Sequence, residues 1–295
     1  MLEHHQSNYT DPARVAVIGA RGVLGKELTR LLGGSGIDVL PLTSDDVDLV
    51  DDGAAEKLAG LLRPDDAVVM LAGLTPDKGR DVATLMKNLK MVEAVCGALA
   101  QSPCGHVIYL SSDAVYPMVE GLIIEETPAA PPDLYGVMHR TRELMCTEGI
   151  GQTPLAILRC SIVCAATDTH NSYGPNRFRK EAREKGTITL FGNGEETRDH
   201  VMVGDVAEII RLVLGHRSSG LLNIATGRSA SFYEVAQMVA ALFDPPPEII
   251  CNERSGPITH RHFDITACHR SFPKMRFTPL EEGIARVHDQ VVAGS

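Results

Sequence analysis

Residues 14–34, RVAVIGARGVLGKELTRLLGG, constrain the fold more than any other stretch of the chain. An apolar run ending at Gly19 reads as a buried strand, and apolar residues at helical spacing from Val23 onward read as a helix that stops at Gly33–Gly34. Between them the glycines follow a G-x-x-G-x-x-G spacing, Gly19, Gly22 and Gly25. Glycines there permit a tight strand-to-helix turn and let the backbone approach a pyrophosphate seated on the helix N-terminus. Gly19, Arg21, Gly22, Val23, Leu24 and Gly25 are therefore expected to hold a dinucleotide.

The alternation continues. IDVLPL (37–42), DAVVMLAG (66–73), HVIYLSS (106–112) and PLAILRC (154–160) are further apolar runs, with helical stretches near 53–62, near 81–100 and around Tyr135 between them. Five strands separated by helices predict an α/β, Rossmann-type, doubly wound parallel sheet. The second half is less regular. A polar, glycine-rich stretch over 164–200 precedes a strand–helix unit (HVMVGDVAEIIRLVL), a strand (GLLNIAT), a helix (SFYEVAQMVAALF), a short apolar segment (PEIIC) and a last helix near 279–292. The expected organisation is a flexible tail over 1–12, a dinucleotide-binding domain over 13–163, and a substrate lobe over 164–295. Returning sheet elements at about 199–225 interleave with that lobe, and the ligand cleft lies between the two parts.

Composition narrows the partners. With 295 residues, 44% of them hydrophobic, the chain has ample material for a core. A net charge of −10 argues against a nucleic-acid surface, which would be basic. A few placed arginines still suffice for a small anion. No apolar run approaches the ~18–20 residues of a membrane span, and the polar start MLEHHQSNYTDPAR lacks the apolar centre of a signal peptide. The seven cysteines form no C-x-x-C pair and read as reduced thiols of a cytoplasmic protein. His260 and His262, flanking Arg261, match no common zinc spacing, so no metal is expected.

In DLYGVMHRTRE, Tyr135 and His139 are one helical turn apart and share a helix face. That pair joins a wider set: the glycine loop, DAVVMLAG, YLSSDAVY, a Tyr at a helix start, LRCSIV, LFGNGEETRDHVMVGDVAE, LLNIATG and EEG. Together these resemble an extended short-chain dehydrogenase/reductase, the family of nucleotide-sugar epimerases, dehydratases and ketoreductases. The resemblance implies an NAD(P) cofactor flanked at its adenine by Asp48 and Leu49, lined by Ala72 and Gly73, and supported by Asn88. It implies Ser112 and Tyr135 as the catalytic pair, Arg198 on the phosphates of a nucleotide-diphosphate-sugar substrate, and Arg254 as a second phosphate candidate. It also implies a homodimer through the helices near 88–100 and 135–148.

A Tyr that takes a proton from a sugar hydroxyl must ionise nearer ~7 than its ordinary ~10. The family places a Lys four residues after that Tyr, which charges the site and holds the nicotinamide ribose. Here the position is His139, whose neutral imidazole bonds a ribose but gives no full charge above its pKa. Asp113 matches the family's dehydratase acid, yet Ala114 stands where a Glu or Cys base would be, which leaves hydride chemistry at a carbinol. Ile162 replaces the Asn of typical epimerases, and LRCSIV resembles dTDP-4-dehydrorhamnose reductases. For the cofactor, Thr43 followed by Ser44 stands where NAD enzymes carry an acid. Arg21 resembles an NADP-binding arginine, so the balance falls on NADP. The sequence reading is an NAD(P)-dependent nucleotide-sugar epimerase or 4-ketoreductase. The alternative is a catalytically weak NAD(P)-binding regulatory protein of the same fold.

Overall fold

The computed structural model describes residues 1–118, 121–168 and 174–293. Residues 169–173 of the polar 164–200 stretch, and 294–295 of the C-terminal lobe, lie outside it. The first half contains β1 (Glu3–His4), β2 (Arg14–Ile18), α1 (Val23–Gly34), β3 (Asp38–Leu42), α2 (Ala54–Ala59), β4 (Asp66–Met70), α3 (Val82–Gln101), β5 (His106–Ser112), β6 (Leu122–Ile123), α4 (Leu134–Gly149), β7 (Leu155–Cys160) and β8 (Ile162–Cys164). The second half contains α5 (Pro175–Lys185), β9 (Thr187–Phe191), β10 (Thr197–Met202), α6 (Val203–Gly215), β11 (Ser218–Ile224), β12 (Ser229–Ser231), α7 (Phe232–Ala240), β13 (Glu248–Asn252), β14 (His262–Phe263), α8 (Thr266–Ser271) and α9 (Leu280–Ala293).

The main sheet runs β1-β11-β7-β5-β4-β2-β3, with every pairing parallel except β1 on β11. Successive residues of β2 serve opposite faces, as the two-residue strand period requires. Val15 and Val17 pack with α1 (Leu24, Leu28) and α6 (Ile209, Val213). Ala16 and Ile18 pack with α2 (Leu58) and α3 (Val92, Val95), a cluster that also holds Tyr109 and, from α4, Cys146. Burial on both faces is why these strands read as unbroken apolar runs. From β2 the chain goes first to β3 on one side, then to β4 on the other. The crevice at their C-terminal ends is the switch point at which open α/β sheets bind ligands.

The C-terminal lobe has its own core of Phe178, Ile188, Leu190, Phe232, Val235, Val239, Ile284 and Val287. Of the elements expected to return over 199–225, α6 and β11 join the main domain. β10 does not; it pairs with β8 and β12 in a separate three-stranded sheet. The expected flexible tail is also corrected. Glu3 and His4 pair with Ser219 and Ser218, Thr10 N donates to Gly215 O at 2.9 Å, and the His4 ring stacks on His216 at 4.6 Å. The open edge of β11 offers unpaired backbone groups, and a two-residue strand carries no periodicity by which to foresee it.

Candidate active site

The glycine loop is tied down at both ends. Gly19 N and Ala20 N donate to Leu42 O at 2.9 and 3.0 Å, anchoring the loop to the end of β3. Gly19 has φ +93°, and a Cβ there would lie 2.7 Å from Ala72 N, so only glycine lets the loop touch the segment after β4. Gly22 caps α1 in extended conformation without a side-chain cap, and the first turn carries no acid. The amides of that turn are left for an external anion, which is the cradle a pyrophosphate fits. Leu24 and Gly25 are buried and support the turn from below, and Val23 is half-buried beside them.

At the end of β3, Arg21 pairs with Asp45, both side chains being exposed. Thr43 N and Oγ1 donate to Asp46 Oδ2 at 2.9 and 2.8 Å, and those bonds hold the Asp46 carboxyl below its usual range. Ser44 is exposed. Arg21, Lys26, Arg30, Pro41 and Thr43 line an open cleft here. Asp48 accepts from Val50 N at 3.2 Å, whereas Leu49 is buried in the core. Ala72 is half-buried and Gly73 exposed. Asn88 is 1% exposed; its Oδ1 accepts from Leu74 N at 2.8 Å and its Nδ2 donates to Leu74 O at 3.1 Å. Asn88 thus braces the loop that carries Gly73.

Asp133 caps α4, its side chain accepting from Gly136 N at 2.9 Å. A Cβ on Gly136 would overlap the Ala114 carbonyl oxygen. Glycine therefore lets the first turn of α4 press against the turn Asp113–Val115 that follows β5, which sets Tyr135 beside Ser112. Burial pushes the Tyr135 phenol up to about 12 and Asp113 adds to the rise, while a hydrogen bond from Ser112 and the Arg142 charge pull it down. Tyr135, Arg80, Asn88 and Met138 line one crevice. Asp113 is held by Arg261, whose Nη1 donates to its Oδ2 at 2.8 Å and to its carbonyl at 2.9 Å.

His139 departs from the expectation. It shares the Tyr135 face, with ring centroids 4.8 Å apart, but is only 8% exposed, and its Nδ1 lies 2.9 Å from Tyr109 Oη. Burial, then the Arg142 charge, push its pKa down to about 3. It is a neutral imidazole engaged with β5, because that part of the α4 face is turned into the sheet.

Arg198 Nη1 donates to Thr259 O at 2.7 Å and Nη2 to Thr259 Oγ1 at 2.7 Å, with the guanidinium 6.0 Å from the Phe232 ring centre. Burial and nearby Arg261 lower its pKa, while Asp113 opposes them, so Arg198 shares the electrostatic environment of the Tyr135 site. Arg254 does not fit the phosphate role: it is clamped by Glu195 and Glu196 and donates to Phe191 O at 3.1 Å. The sequence reading missed Tyr109, Arg142 and Arg261. Only Arg261 carried a signal, its place in THRHFD beside the ERSG segment. Among the described residues, no group of three or more His, Cys, Asp or Glu is placed to hold a metal, and no helix is long and apolar enough to cross a membrane.

A parallel sheet with a glycine loop at its switch point defines a Rossmann-type protein. Residues 15–225 match the model of the NAD dependent epimerase/dehydratase family, and the chain belongs to that family. It is 28% identical over 183 residues to dTDP-L-rhamnose 4-epimerase of Burkholderia thailandensis, covering 55% of this chain and 47% of that protein. The chain thus spans about half the length of that relative. It is 27% identical over 239 residues to a probable dTDP-4,6-dihydroxy-2-methyloxan-3-one 4-ketoreductase of Streptomyces antibioticus, covering 79% of this chain and 78% of that protein. The fold matches that of the UDP-glucose 4-epimerase of Thermus thermophilus in complex with NAD, with TM-score 0.81 and 21% identity over 96% of this chain and 100% of that one.

Proposed function

We propose that the chain is an NAD(P)-dependent epimerase or 4-ketoreductase acting on the sugar of a nucleotide diphosphate sugar. The observation that carries this reading is Tyr135 set beside Ser112 by the close approach of α4, within one crevice of the segment after β4. Family membership and relatives named as a 4-epimerase and a 4-ketoreductase support it. The glycine loop and the segment after β4 would hold the dinucleotide, which would supply hydride transfer at the sugar carbon. Tyr135 moves the hydroxyl proton, and Ser112 orients that hydroxyl and steadies the phenolate. Arg198, with Arg261 behind Asp113, offers positive charge to the diphosphate. Ala114 supplies no second base, which limits the chemistry to the carbinol.

Between the two cofactors we favour NADP. Arg21, Lys26 and Arg30 gather on the cleft at the end of β3. An exposed Arg–Asp pair contributes little to stability, so a 2′-phosphate displaces Asp45 at little cost. Exposed Val82, Met86, Val137 and Leu144 on α3 and α4 support a homodimer through those helices. Seven unpaired cysteines suit the reducing cytoplasm. The test is turnover of dTDP- and UDP-sugars, 4-hydroxy and 4-keto, with NAD and NADP compared by calorimetry. Wild type is expected to turn over at least one class and to bind NADP more tightly. Tyr135→Phe is expected to lose turnover while keeping cofactor affinity. Tight binding of cofactor and sugar nucleotide with no turnover at any pH would leave the regulatory reading in its place.

A further inference from the structure

Arg142 is the largest fully buried side chain of the described residues, at 1% exposure. Its Nη2 donates to Ala72 O at 2.6 Å, its Nη1 lies 3.5 Å from Asn88 Oδ1 and 3.7 Å from Met138 Sδ, and its Nε has no partner. Among the described residues no carboxylate forms an ion pair with it. Adjacent Glu143 is taken by Arg159 at 2.8 Å and Arg140 at 3.1 Å, and Asp113 by Arg261. A buried charge without a counter-ion is costly, and structures retain one mainly where something uses the charge.

Its position shows what uses it. Helical side chains lean toward the helix N-terminus, and the contact with Met138 shows Arg142 running back along α4 toward Tyr135. The guanidinium lies 5.1 Å from the Tyr109 ring centre; Tyr109 bonds His139, and His139 packs edge-on against Tyr135. On the far side, a Cβ on Gly73 would come 2.8 Å from Arg142 Nη1, so the cation sits directly beneath the segment expected to line the cofactor.

We propose that Arg142 is a positioning residue that supplies the fixed positive charge of the Tyr135 site, from two turns further along α4, in place of the charge His139 lacks. The proposal rests on the enzymatic reading above. Tyr135 is also faced by Ser112 at the end of β5, by Asp113 just after it and by Cys160 on β7. Arg142 is faced by Cys96 on α3, by His139 and Cys146 on α4 and by Tyr109 on β5. None of these offers Tyr135 a cation.

The test places a chlorinated tyrosine at position 135, whose phenol ionises at lower pH, and follows phenolate absorbance in the cofactor-bound protein. Arg142→Lys keeps the charge. Arg142→Gln keeps a donor for the Ala72 carbonyl without charge, and Arg142→Met keeps bulk alone. A unit charge about 10 Å away at an effective dielectric of 20 moves an ionisation by about one pH unit. The midpoint is expected to rise by about that much in the neutral variants and to stay near wild type in Arg142→Lys. In the natural chain, the alkaline limb of oxidative kcat should move in parallel. An unshifted midpoint in a folded neutral variant overturns the proposal. So does failure of both neutral variants to fold, which makes Arg142 a structural brace. If wild type turns over no sugar nucleotide, the titration still decides the role of Arg142; an unshifted midpoint in an active enzyme removes Arg142 and leaves the proposed function standing.

Discussion

Arg198 does two things at once. In the proposed function its guanidinium offers charge to the substrate diphosphate, and its bonds to Thr259 hold the strand of chain that delivers Arg261 to Asp113. Removing a charge-assisted contact costs roughly 1.5–3 kcal/mol, so Arg198→Ala is expected to raise the substrate KM about ten- to a hundredfold. Because Arg261 loses its tether, kcat should fall as well, while cofactor affinity is unchanged. Calorimetry with cofactor and steady-state kinetics with sugar nucleotide separate these effects. Wild-type KM in the variant would return Arg198 to the surface. Arg254, with two glutamates around it, should show no such effect on substitution.

At the scale of the element, α4 carries the proposed acid/base. Its first turn is fixed by the Asp133 cap and by the absence of a side chain at Gly136. Gly136→Ala forces a methyl into the Ala114 carbonyl and to 2.6 Å from Pro131 Cβ. Overpacking of this kind costs about 1–3 kcal/mol, and a displacement of about 1 Å at a reacting group costs on the order of a hundredfold in rate. The expected result is a lower Tm with a disproportionate loss of kcat. Asp133→Ala is the control: a lost cap costs about 1 kcal/mol and should lower Tm while sparing most of the rate. Equal kcat losses in the two variants would mean that the turn contact does not position Tyr135.

At the scale of the whole molecule, the three buried histidines of the described residues bear on the acid limit. Burial is the first cause in each case, lowering His106 to about 4, His139 to about 3 and His200 to about 4, from 6.5. Between those values and 6.5 the unfolded chain binds protons that the folded chain refuses, so stability rises with pH in that window and falls on acidification through it. Each contributes at most about 2 kcal/mol of loss by pH 5. Asp199 and Glu125, which burial raises, oppose this near its lower end. Urea midpoints should drop from pH 7.5 to pH 5, and His139→Asn should flatten part of that slope. A midpoint constant over this range would contradict the neutral, buried state of His139.

Periodicity and glycine spacing determined a great deal by themselves. The five apolar runs became β2, β3, β4, β5 and β7; the inner strands are marked residue by residue because both their faces are buried, and the edge strand β3 is only partly so. The glycine loop was legible for a similar reason: its residue types and local spacing are themselves the requirement, and the same logic carries the proposed Ser112–Tyr135 pair. What stayed hidden depends on partners far apart in sequence. His139 was rightly placed on the face of Tyr135, but only the packing of α4 on β5 gave it to Tyr109. Arg254 looked like a phosphate ligand until Glu195 and Glu196 closed on it across the lobe. Arg142 went unmarked in the sequence, since nothing local distinguishes a charge in solvent from one in a core. Burial and counter-ions are properties of the assembled structure, and whether a charged side chain is spent or available is decided only there.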